Sequence, residues 1–103
     1  MNRNMMRQAQ RQAQKLQNDM QKVQEELESL TVEGSSGGGV VKVVMSGKQT
    51  VESVTIEPEA AEEIDMLQDL IVAAVNDAFN KTQEIASQKM NAVTGGLNIP
   101  GLT

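Results

Sequence analysis

Met6, Ala9, Ala13, Leu16, Met20, Val23, Leu27 and Leu30 succeed one another at alternating spacings of three and four on a polar, glutamine-rich background. This a/d heptad pattern predicts one long amphipathic helix over about residues 2–30, roughly 40 Å at 1.5 Å per residue. Such a helix outruns a small core and calls for a second long helix beside it. From Leu30 the period changes. The stretch TVEGSSGGGVVKVVMSGKQTVESVTIEP is rich in β-branched residues and turn formers, which predicts strands. VVKVVM and TVESVTI flank SGKQ as an antiparallel hairpin, and LTVEG supplies a third strand beyond the SSGGG turn, completing a meander.

Pro58 is placed to open a second helix at its first position, with acids crowding the first turns where the helix dipole favours them. Ile64, Leu67, Ile71, Ala74, Ala78, Thr82 and Ile85 mark one stripe. Leu70, Val75, Phe79, Ala86 and Met90 widen it until contacts on two sides are implied. Gly95-Gly96 ends the helix, and LNIPGLT carries a proline and no period. The expected architecture is α+β: helix, three-stranded antiparallel meander, helix, forming one domain over 1–94 with a flexible tail at 95–103. Short connections make the helices antiparallel, so Lys81 and Lys89 are expected to join the N-terminal basic residues at one tip, with the acidic ends near the sheet.

Composition sharpens this picture. The chain has 103 residues, 39 % of them hydrophobic, and one aromatic side chain, Phe79. A monomer with so little bulk in its core is marginal, and seven methionines pack adaptably at helix interfaces, so a homodimer is expected. Its interface should centre on the sheet and on Leu70, Val75 and Phe79. Cys and His are absent, which removes disulfides, the usual metal clusters and the common nucleophile–base pairs. An enzyme is not expected, nor a cofactor, a metal or a small-molecule substrate. Glu59, Glu62, Glu63, Asp65 and Asp69 lack calcium-loop spacing and read as helix-start acids. Gly47-Lys48 lacks the rest of a phosphate-binding loop, with Lys42 and Gln49 at the positions that matter. The longest apolar run, LIVAAV at 70–75, is far too short to span a bilayer, so a soluble, intracellular protein with no membrane partner is expected.

The net charge is −5, yet Arg3, Arg7, Arg11, Lys15 and Lys22 stand against Asp19 alone in the first 22 residues. Arg7, Arg11, Lys15 and Lys22 fall at b, f and c heptad positions, away from the a/d seam, and so face solvent. Basic residues at a helix start and Glu25, Glu26 and Glu28 near its end both oppose the macrodipole, at a few tenths to ~1 kcal/mol per site. Helix stability alone does not favour that arrangement. A face that meets a polyanion does.

GGGVVKVVMSGKQTVESVTIEP, MLQDLIVAAVNDAFNKTQE and KMNAVTGGLNIPGL together resemble the YbaB/EbfC family of nucleoid-associated proteins, and the likeness covers nearly the whole chain. The resemblance implies a bacterial, cytoplasmic, nucleoid protein: an α-β-α protomer, dimerised through its sheet region, whose paired helices project like tweezer arms against double-stranded DNA. Effects on chromosome organisation and gene expression would follow. Charge and face, rather than the family, nominate Arg3, Arg7, Arg11 and Lys15 for phosphate contact, with Lys81 and Lys89 beside them. The lack of aromatic residues argues for duplex backbone contact over stacking on single strands. Two other classes fit the same elements: a coiled-coil adaptor whose basic arm binds an acidic protein, and a prefoldin-like holdase, which would need apolar tips.

Overall fold

A computed structural model describes residues 3–95. Helix α1 (Arg3–Ser29) leads into strands β1 (Thr31–Ser36), β2 (Val41–Ser46) and β3 (Val51–Ile56), then a 3-10 turn (Pro58–Glu62) and helix α2 (Ile64–Thr94). The sheet is an antiparallel meander in the order β1-β2-β3. The expected α+β architecture is therefore the observed one. The tail expected at 95–103 lies, Gly95 apart, outside the described residues.

One departure concerns the start of the second helix. Pro58 opens the short 3-10 turn, and Glu63 then takes an extended conformation, φ −118° and ψ 100°, before α2 begins. A continuous helix would stack Glu59, Glu62, Glu63 and Asp65 at three- and four-residue spacings, where like charges repel. The break at Glu63 takes that column apart.

The core forms between β2 and α2. Val41, Val43 and Met45 project from alternate positions of β2 onto Ala74 and Ala78, and all five are buried. On β1 the residues paired with them are Ser36, Gly34 and Val32, so these share the covered face. Gly34 lies so close under α2 that a Cβ there would come within 2.4 Å of the Ala74 carbonyl oxygen. Small residues on both sides let the helix settle onto the strand. Three successive glycines, Gly37, Gly38 and Gly39, take positive φ values of 61°, 74° and 99° to turn β1 into β2.

The third strand is different. Val41 pairs with Ile56, Val43 with Val54 and, past a bulge that leaves Glu52 unpaired, Met45 with Val51. The bulge keeps Val51 on the core side of the sheet. Yet Val51 and Val54 are each 43 % exposed, because α2 covers β1 and β2 and leaves β3 open.

Candidate nucleic-acid interface

Helix α2 spends its first half on the sheet and only then meets α1. Buried Val23 and Leu27 mark where α1 packs on α2. Glu26 faces Lys89, and a groove between the helices brings Lys15, Asp19 and Val23 beside Ala92 and Val93. Residue numbers fall along one helix as they rise along the other, so the pair is antiparallel. The last turn of α2 reaches only as far as residues 15–19 of α1, and the start of α1 projects beyond it in a molecule 72 Å long.

That projecting arm carries Arg3, Arg7, Arg11 and Lys15, all exposed. Steps of four residues advance the row about 6 Å along the axis and about 40° around it, so four cations trace a shallow spiral about 18 Å long. Duplex DNA carries about one phosphate per 1.7 Å of axis, so the row spans about ten phosphates. The first turn of α1 holds no acid and its last turn no base, which leaves the dipole opposed at both ends. Lys22, one heptad beyond Lys15 and on the same face, lines the groove with Lys15 and Lys89. Lys22 is not among the residues expected to contact phosphate, and the c heptad position it shares with Lys15 is the sequence signal that groups the two.

Lys81 and Lys89 are not at the tip, contrary to the sequence expectation. Lys81 Nζ donates to the Glu33 carbonyl oxygen at 2.8 Å and pairs with Asp77 at 3.2 Å, beside the sheet. Lys89 Nζ donates to Glu26 Oε2 at 2.8 Å, midway along α1's packed half. The expectation failed because it ran α2 along α1 from the start, whereas the first half of α2 lies on the sheet, with Ala74 and Ala78 in its core and Lys81 still bonded to β1. Both lysines leave traces on their partners. The backbone N–H of Ser35, then Lys81, holds the Asp77 carboxyl below its ordinary value, and the hydrogen bond and charge of Lys89 do the same for Glu26.

Asp77 and Lys81 also close a sheet edge. Ser35 N–H donates to Asp77 Oδ2 at 3.0 Å, so with the Lys81 bond to Glu33 the β1 edge has side chains on two of its backbone groups. No comparable contact covers β3 among the described residues. Of the expected interface residues, Leu70 and Val75 pack against the protomer's own core, while Phe79 is 38 % exposed. Ile64, Met66 and Val72 are more exposed still. Among the described residues no acidic cluster is arranged to hold a metal ion, and no helix is long and apolar enough to cross a membrane.

Fold and surface together define a helix–meander–helix protein with a basic projecting arm. The model of the YbaB/EbfC DNA-binding family matches residues 1–97, and the chain belongs to that family. A nucleoid-associated protein of Desulforamulus reducens is 56 % identical over 94 residues, 89 % of this chain and 90 % of the relative. One from Chloroflexus aggregans is 50 % identical over 93 residues, 88 % and 93 % of the two chains. The crystal structure of an uncharacterized protein from Helicobacter pylori shares the fold, with a TM-score of 0.65 at 20 % identity over 74 % of this chain and 90 % of that one.

Proposed function

We propose that this protein binds double-stranded DNA as a homodimer in the bacterial nucleoid, mainly through phosphate contacts, and thereby influences chromosome organisation and gene expression. The observation that carries the reading is the exposed row Arg3, Arg7, Arg11 and Lys15, which starts on the part of α1 that projects beyond the last turn of α2 and ends at the mouth of the groove between the helices. Lys22 extends the row toward the groove. Lys81 and Lys89 are secondary contacts, since each already holds a carboxylate. The acidic body, which sets the net charge of −5, repels DNA and confines attraction to the arms.

The dimer reading is supported by the open apolar strip of β3, Val51 and Val54, together with Phe79 on α2. With β1 closed by Asp77 and Lys81, the β3 edge is the one available for pairing. Two arms each making four phosphate contacts give about eight, so log K should fall with log salt at a slope near −7 as an upper bound. Fluorescence anisotropy with a labelled random duplex, titrated across salt concentrations, tests this. A slope near zero, or competition by acidic protein or unfolded client in place of duplex, would reject it.

A further inference from the structure

The basic row does not end on open surface. Each step of four residues turns it about 40° around α1, and by Lys15 it has come round to the groove between α1 and α2. The next step of four falls on Asp19, an acid in the same groove. Two further cations stand there: Lys22, at the c position one heptad beyond Lys15, and Lys89, supplied by α2. The three lysines share about 470 Å³ with Val23, Ala92 and Val93 and with two carboxylates, Asp19 and Glu26. Glu26 takes Lys89, at 2.8 Å. The hydrogen bond and charge of Lys89, then the charge of Lys22, hold the Glu26 carboxyl below its ordinary value, so two of the lysines act on one carboxylate.

We infer that this groove is a seat for a backbone phosphate of the duplex, and that Glu26 is the phosphate's internal competitor, giving up Lys89 when the row delivers a strand. The seat presupposes duplex binding by the row and adds to it. Glu26 marks where the anion goes, since an oxygen held by one lysine within the field of a second is the position a phosphate oxygen would take. The exchange costs little. Lys89 and Glu26 have side chains 32 % and 53 % exposed, and an exposed ion pair is worth no more than about fivefold in an equilibrium constant. A phosphate on the same ammonium also releases counterions condensed on the duplex, which a carboxylate does not. Three lysines against two carboxylates leave the groove with little net charge. It therefore holds an isolated anion poorly, whereas a strand already bound along Arg7, Arg11 and Lys15 arrives at high effective concentration.

A double-variant cycle on the full chain tests the seat, read by anisotropy with the labelled random duplex at fixed salt. Glu26→Gln frees Lys89 and should tighten binding at least about threefold more in the parent than in a Lys89→Gln background, within the roughly fivefold that an exposed pair allows for each groove. Lys89→Gln alone should weaken binding and flatten the salt slope by up to ~0.9 per protomer, while Lys89→Arg keeps both. Neither side chain is buried, so circular dichroism should show the parental fold throughout. A parent chain that does not bind the duplex rejects the row and the seat together. A parent that binds, with equal gains from Glu26→Gln in the two backgrounds, shows only a general relief of acidity and overturns the seat alone. Parental affinity and slope in Lys89→Gln also overturn it.

Discussion

Gly34 shows how one position sets the distance between two layers. It sits at the centre of β1, opposite Val43, and any Cβ would be driven into the backbone of α2 at Ala74 and Ala78. Backbone, unlike the end of a flexible side chain, cannot swing aside, so Gly34→Ala must lift the helix or bend the strand. Overpacking of this kind costs about 1–3 kcal/mol, and each kcal/mol lowers the melting temperature of a domain this size by about 4–8 °C. Thermal unfolding by circular dichroism should therefore fall by several degrees at least, and an unchanged midpoint would mean that α2 does not lie this close. Nothing in the sequence marked Gly34 as special. Its neighbours made a strand pattern, and the demand for a missing side chain arises only when a helix 40 residues further on is laid across it.

At the scale of elements, the two edges of the sheet are treated in opposite ways, and each yields a prediction. On the closed edge, Asp77 accepts from Ser35 N–H and pairs with Lys81, which holds its carboxyl below the ordinary value. A lowered carboxylate contributes stability above the ordinary range near pH 4 and loses it as pH falls through the lowered value. Asp77→Asn should therefore lower the melting temperature at pH 7 slightly and flatten its decline on acidification below pH 4. A parallel decline would show that the clamp contributes nothing. On the open edge, Val54→Asp alters a side chain that is 43 % exposed in the protomer, so the fold should survive while a paired edge cannot bury the new charge. If the parent chain dimerises through β3 as proposed, sedimentation should show a folded Val54→Asp monomer at concentrations where the parent sediments as a dimer; Phe79→Asp should act in the same direction. A Val54→Asp dimer of parental stability would move the interface off β3. The elements themselves were legible because each has its own period: heptad spacing for α1, alternation for the strands, a broad stripe for α2. What remained hidden was contact order. Periodicity shows that α2 has two partners along its length but not where it leaves one for the other, and the tip positions expected for Lys81 and Lys89 failed on that point.

For the whole molecule, charge is separated along a long axis, with the basic row at one end of an otherwise acidic chain. The row was legible because four cations at a constant spacing of four need no tertiary information to share a face. Its exposure beyond α2 required the structure. If the row meets phosphates, Arg7→Ala with Arg11→Ala removes up to four contacts from a dimer and should flatten the salt slope by up to ~3.6, weakening binding about equally on every duplex sequence. The fold should be untouched or slightly firmer. Both arginines are exposed and make no ion pair among the described contacts, alanine is the best helix former, and fewer cations near the start of α1 oppose its dipole less. Affinity and melting temperature should thus move in opposite directions, or affinity should fall at constant melting temperature. A variant that merely misfolds would lose both together, so measuring thermal unfolding and anisotropy on one preparation separates the two causes. A folded double variant with parental affinity and parental salt slope would place the DNA contact elsewhere than on this face of α1.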